Sequence, residues 1–110
     1  MSVATEVRFN SRGEQCAGTL FMPDGDSRVP AVVLAHGFTA TRKDGLVAFA
    51  ERFADEGFAA LTFDYRGFGE SDGNERQVLS IKRELQDVAA AIHFLGTRED
   101  VDPNRIALWG

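Results

Sequence analysis

Hydrophobic and polar residues alternate near the start of the chain, and this pattern predicts a β-hairpin. Thr5–Phe9 alternates polar and apolar positions, and Cys16–Met22 forms a second strand-like run. The segment Ser11–Glu14 between them is polar and contains Gly13, which can adopt the positive φ of a tight turn. Two antiparallel strands joined by that turn are the simplest structure for this part of the chain.

Three largely apolar runs further along predict strands that are buried on both faces. They are Ala31–Ala35, Ala59–Phe63 and Arg105–Trp109. Runs of this kind are typical of parallel sheets that helices cover on both sides.

Two segments with helical periodicity separate these runs. In the first, apolar residues recur at spacings of three and four: Leu46, Phe49, Ala50 and Phe53. Thr41 stands three residues before Asp44, as at the start of a capped helix, and Gly57 is a suitable end.

The second helical segment has one apolar face, which is predicted to lie in the core and comprises Val78, Ile81, Leu85, Val88, Ile92 and Leu95. Gly96 is predicted to end this helix, and Asp102–Asn104 is predicted to form a turn that leads into the last strand. The outer residues are interpreted as a solvated face with minor local charge pairing, and they are Lys82, Arg83, Glu84 and Asp87.

After the hairpin the order is therefore strand, helix, strand, helix, strand. This order predicts two right-handed βαβ units, a mostly parallel sheet, and helices on opposite faces of it. The fold class is α/β, and the chain of 110 residues is expected to belong to a single domain.

Composition narrows the range of functions. The chain is 44% hydrophobic, which is too high for a disordered segment, and its formal net charge is −5. An acidic chain is a poor partner for nucleic acid or an anionic membrane. Cys16 is the one cysteine, so we expect no internal disulfide and interpret this residue as a small buried apolar group.

The segment Met1–Asn10 contains no apolar stretch of signal-peptide length, and Ala31–Ala35 is too short to span a bilayer. A cytoplasmic protein is expected.

The segment Asp64–Gly69 is rich in glycine but does not follow the G-x-G-x-x-G pattern. It is interpreted as a tight loop held by an ion pair of Arg66, and it could support a neighbouring loop. The spacing of Asp64 and Asp72 does not favour a glycosidase acid pair.

The last predicted strand would be central in such a sheet, yet the sequence stops at Gly110. We expect these residues to form the N-terminal part of a longer domain. Made alone, they would expose an apolar edge and aggregate.

Three motifs, each following or closing a predicted strand, carry a family resemblance: Leu34–Phe38, Phe63–Ser71 and Ile106–Gly110. In this order they resemble the N-terminal half of the α/β-hydrolase family, with serine esterases and dienelactone-hydrolase-like enzymes as the nearest types. The resemblance covers almost the whole chain. It implies that the Ala31 strand lies between the Ala59 and Ile106 strands.

By this resemblance, Gly110 is the first glycine of the G-x-S-x-G nucleophile elbow. The nucleophile would follow two residues after Gly110, with the acid and the histidine further along, so these residues alone are expected to be inactive. The resemblance also assigns the backbone N–H of Phe38 to the oxyanion hole. Gly37, Phe38 and Thr39 would form a substrate-binding loop, with Phe38 close to Gly110.

The two histidines are not expected to be catalytic. His36 would hydrogen-bond nearby loops, since the family's catalytic histidine lies further downstream, and His93 is interpreted as a surface or boundary residue. Neither has metal-ligand spacing beside it, so no metal site is expected, and the resemblance implies no cofactor.

The expected function of the full-length protein is hydrolysis of an ester, thioester or related acyl bond of a small molecule by a nucleophilic serine. A non-catalytic binding protein with this fold and a nucleotide-binding α/β domain remain as alternatives. A cysteine or aspartate nucleophile, as in dienelactone hydrolases, dehalogenases and epoxide hydrolases, is a further alternative.

Overall fold

The computed structural model describes residues 2–25, 27–35, 45–73 and 80–110. Five strands and two helices follow one another along these ranges. In chain order they are β1 (Ser2–Ser11), β2 (Glu14–Pro23), β3 (Val29–Leu34), α1 (Val47–Asp55), β4 (Ala59–Phe63), α2 (Ile81–Gly96) and β5 (Val101–Trp109).

All five strands join one sheet in the order β1-β2-β4-β3-β5. The hairpin is antiparallel and lies at one edge, and β2 also pairs antiparallel with β4. Strands β4 and β5 both pair parallel with β3, which confirms that the Ala31 strand lies between the other two apolar strands.

The two helices cover opposite faces of this sheet, as predicted. Val32 and Leu34 of β3 pack with α1 residues Ala50 and Ala54. Ala31 and Val33 point to the other face, in a core that α2 closes with the pair Ala91 and Leu95. Successive side chains of β3 therefore point into the two cores in turn. Both faces of the strand are buried, so no position in this run is polar.

Helix α1 begins at Val47 with Leu46 as N-cap and no side-chain cap. The predicted capping residues Thr41 and Asp44 lie outside the described residues. Gly57 follows the helix with a φ of 96°, which a side chain would disfavour, so its predicted role at the helix end is confirmed. Phe49, one of the four residues of the predicted apolar periodicity, is half exposed.

The predicted apolar face of α2 is confirmed only in part: Leu95 is buried and Val88 and Ile92 pack against the core, but the face towards the sheet is rotated so that Asp87 and Ala91 join Leu95. Ile81 and Leu85 are 68% and 64% exposed, whereas Asp87, Ala91 and Leu95 are buried. The helix begins after Ser80, whose Oγ accepts a hydrogen bond from the Arg83 amide at 3.3 Å. Val78 lies outside the described residues.

Strand β5 begins at Val101, four residues before the predicted start. The segment Asp102–Asn104 was predicted as a turn, and it lies where the pairing with β3 shifts register between Val29 and Ala31. The irregularity accommodates Pro103, which has no N–H to donate to a regular ladder. Among the described strands only β3 pairs with β5, and Leu108 is 54% exposed.

No helix in the described part of the chain combines the length and apolar character needed to cross a membrane.

Gly18 of β2 provides a test of this packing. A Cβ at this position would lie 2.9 Å from the Thr62 carbonyl oxygen and 3.2 Å from Cδ1 of Leu61. We expect Gly18→Ala to lower the free energy of unfolding of the whole protein by about 1–3 kcal/mol, because the crowding is against backbone. Urea unfolding followed by circular dichroism measures the change.

Gly96→Ala is the matched control. A Cβ there would meet its nearest atoms at 3.9 and 4.0 Å, which is ordinary contact. This variant should be as stable as the parent or slightly more so. Equal stability of the two variants would contradict the close β2–β4 contact at Gly18.

Candidate active site

The ends of β3 and β5 meet at the carboxyl edge of the parallel strands. The Ala35 amide donates a hydrogen bond to the Trp109 carbonyl at 2.9 Å. A Cβ on Gly110 would lie 3.3 Å from the carbonyl oxygen of Ala35. Ala35 and Gly110 therefore lie side by side. The expected oxyanion loop follows Ala35 and the expected nucleophile follows Gly110, at the edge where open α/β sheets bind ligands.

The loop residues themselves were predicted from the family resemblance and lie outside the described residues: His36, Gly37, Phe38 and Thr39. Their role, and the approach of Phe38 to Gly110, stay predictions.

The loop that follows β4, residues 64–73, continues the pairing of the sheet with β2. The Ala17 amide donates to Oγ of Ser71 at 2.8 Å, and that hydroxyl donates to the Asp64 carbonyl. The Asp72 amide donates to the Gln15 carbonyl at 2.8 Å. The Ser71 hydroxyl thus links the Ala17 amide of β2 to the Asp64 carbonyl of the loop. It takes the place of a backbone group that a neighbouring strand would supply.

Close packing explains the glycines of this loop better than phosphate binding does. The Asp64 carboxylate is buried and accepts a hydrogen bond from the Glu70 amide at 3.1 Å. Gly69 has a φ of 51°, and a Cβ there would lie 2.5 Å from Cγ of Asp64. A Cβ on Gly73 would lie 2.6 Å from the Gly67 amide nitrogen. The neighbours of Gly69 and Gly73 thus leave no room for a side chain at these two positions.

An ion pair holds the loop, as predicted, and its partner is Asp87. The Arg66 amide and Nε donate to the two Asp87 carboxylate oxygens at 2.8 and 2.6 Å, and Ser11 Oγ donates to Oδ1 at 2.6 Å. Arg66 also donates to Oε1 of Gln86 at 2.8 Å. The hairpin, the loop and α2 are joined at one carboxylate.

The interpretation of Asp87 as part of a solvated face was wrong, because its side chain is 1% exposed. The position of Asp87 in the sequence could have indicated that it is buried. Asp87 precedes Ala91 by four residues and Leu95 by eight, which places it on the same helix face as these two apolar residues. A carboxylate in line with small and apolar residues indicates a buried, paired group.

Two buried titratable groups next to this cluster remain protonated at neutral pH. Burial, followed by the Asp87 charge, raises the pKa of the Cys16 thiol to about 12. Burial, followed by the charges of Glu84 and Asp87, raises the pKa of Tyr65 to about 12. Cys16 is fully buried, which confirms its structural interpretation, and as a thiol it is a poor nucleophile.

Among the described residues, the other candidate polar groups do not gather into a second site. Asp64 lies inside the loop, whereas Asp72 is at the surface near Arg8. His93 is exposed on α2, as predicted. Within residues 2–25, 27–35, 45–73 and 80–110, no three His, Cys, Asp or Glu residues group together in a way that could hold a metal ion.

Comparison with known proteins agrees with the geometry. A hydrolase family model described as "Serine aminopeptidase, S33" matches residues 26–110. The chain is 46% identical over 105 residues to the quorum-quenching protein AidA of Acinetobacter baumannii (strain MDR-ZJ06), covering 96% of this chain and 34% of that protein. It is 37% identical over 107 residues to the thiohydrolase aneE of Aspergillus aculeatus, covering 96% of this chain and 33% of that protein.

A solved structure has the same architecture. The α/β hydrolase GrgF from Penicillium sp. sh18 superposes with a TM-score of 0.92 at 28% identity, over 98% of this chain and 37% of that one. The chain thus spans about a third of the length of the relatives it matches.

The Arg66–Asp87 pair yields a sharp prediction. Asp87→Asn keeps the side-chain shape but removes the close, buried counter-charge of Arg66 and leaves it only the longer pair with Glu14 at 3.8 Å, so we expect the whole protein to lose about 3–5 kcal/mol of unfolding free energy. Urea unfolding near neutral pH measures the loss.

Asp100→Asn is the matched control, because Asp100 also pairs with an arginine, Arg98, at 2.9 Å, but at the surface. That change should cost less than about 1 kcal/mol. A similar cost for both variants would contradict the buried role of Asp87.

Proposed function

The chain belongs to the α/β-hydrolase family, and from this premise we propose that the whole protein hydrolyses ester, thioester or related acyl bonds of small molecules through an activated serine. The observation that carries the proposal is the alignment of Ala35 with Gly110 at the carboxyl ends of β3 and β5. A thiohydrolase among the relatives supports including thioesters. A cytoplasmic location, with no nucleic-acid or membrane partner, belongs to the same proposal.

In this proposal the nucleophile follows Gly110 by two residues, at the sharp turn after β5. The general base and its orienting acid come from later in the protein. Backbone donors stabilise the tetrahedral intermediate, since fixed N–H groups act on the oxygen that gains negative charge. The Phe38 amide supplies one donor, and the amide after the nucleophile supplies the other. This chemistry uses no cofactor or metal.

The described residues support a rigid frame for such donors. Parallel pairing fixes the end of β3 against the end of β5, and the two cores pack from both faces of β3. The loop of residues 64–73 follows β4, the other neighbour of β3. Its hydrogen bonds to β2 and its ion pair to α2 hold that flank of the carboxyl edge in place.

A serine-directed fluorophosphonate probe tests the nucleophile on the whole protein. We expect the probe to abolish turnover of a model ester and thioester, and to add its mass to the tryptic peptide that begins at Ile106, because trypsin cuts after Arg105. Inhibition by iodoacetamide instead would indicate a cysteine nucleophile. Normal folding without labelling or turnover would favour a non-catalytic binding protein.

Two substitutions of Phe38 test the oxyanion donor. Phe38→Pro removes the backbone N–H and should lower kcat by roughly 10²–10³, whereas Phe38→Ala keeps the N–H and should retain much of the activity. Steady-state kinetics on a model ester measure both variants, and circular dichroism checks their folding. A normally folded Phe38→Pro variant with the parental kcat would exclude this role.

A further inference from the structure

A groove outside the proposed active site runs between the tip of the hairpin and the outer side of α2. It is shallow and largely open to solvent, and its volume is about 720 Å³. Its apolar floor is a row of Ile81, Leu85 and Ala89, which are spaced four residues apart on α2. At 1.5 Å per residue the row is about 12 Å long, which is more than two helical turns. Ile81 and Leu85 are among the most exposed large apolar side chains in the described chain.

The charge of this groove is opposite to that of the whole chain. The chain carries 17 acidic and 12 basic residues, but none of the described residues that line the groove is a carboxylate. Arg12 and Lys82 border it instead, and within the described part of the chain neither takes part in an ion pair or a side-chain hydrogen bond. The remaining polar lining residues are Asn10, Ser11, Gln86 and His93.

These features favour one kind of occupant. A straight apolar row on a helix receives the apolar stripe of a second helix, which packs at an axial distance of about 8–10 Å. Unpaired cations beside the row attract carboxylates that flank such a stripe. A second copy packed through the same groove fits poorly, because it would bring Arg12 and Lys82 of the two copies together, with no carboxylate among the described lining residues to offset them.

We propose that this groove, lined by Ile81, Leu85 and Ala89 and bordered by Arg12 and Lys82, docks an acidic amphipathic helix of a partner protein. The proposal is independent of the hydrolase activity.

A synthetic helical peptide provides the probe. It carries leucines at i, i+4 and i+8 flanked by glutamates, and its twin carries lysines in place of the glutamates. We expect the glutamate peptide to bind the whole protein in fluorescence anisotropy titrations, more weakly at high ionic strength, and at least about tenfold better than its twin.

Variants of the protein locate the binding. Leu85→Ser and Lys82→Glu should each weaken the glutamate peptide about tenfold. Val3→Ser and Arg52→Glu are matched controls, because they remove an exposed apolar group on β1 and an exposed cation on α1, and their binding should be unchanged. Absence of binding, or equal losses in variants and controls, would overturn the proposal.

Sedimentation velocity tests the competing occupant. The whole protein should show the same oligomeric state with and without Leu85→Ser. A dimer that this substitution dissociates would identify the groove as a contact between copies and would overturn the proposal.

Discussion

The arrangement of this chain depends on one buried carboxylate. Asp87 accepts hydrogen bonds from the amide and Nε of Arg66 and from the hydroxyl of Ser11, so three segments far apart in sequence meet at its two oxygens. A charge taken out of water is tolerated only when such partners surround it, and each partner must then stay in place. The hairpin tip, the loop after β4 and helix α2 are therefore fixed relative to one another by polar geometry, while the apolar cores hold the layers together.

The same requirement explains the orientation of α2. On a helix of 3.6 residues per turn, the face formed by Asp87, Ala91 and Leu95 is rotated by roughly a quarter turn from the apolar face predicted from periodicity. Phe94 stacks on Phe9 and lies beside the core in this orientation. Ile81 and Leu85 are turned outward as a result. The buried carboxylate on the inner face of α2 and the exposed apolar row on its outer face thus both result from this one rotation of the helix.

Much of the fold could be predicted from the sequence. The hairpin, the apolar strand β4 and the βαβ order followed from local pattern, because strands buried on both faces have few polar residues. The position of β3 between β4 and β5 came only from the family resemblance, since periodicity says nothing about spatial order. The early start of β5 was missed because Pro103 signals a turn, whereas an irregular edge pairing accommodates it.

The candidate site, too, could be predicted only in part from the sequence. The glycine-rich loop and the ion pair of Arg66 were predicted, but Asp87 was not identified as the partner, because a charged residue on a helix is solvated in most proteins. The decisive information is tertiary: Asp87 is buried because Arg66 and Ser11 reach it from other elements. At the carboxyl edge, by contrast, the backbone is sufficient. Parallel pairing of β3 with β5 brings Ala35 beside Gly110 whatever side chains follow, so a nucleophile and an oxyanion donor attached to these two strand ends would begin within reach of each other.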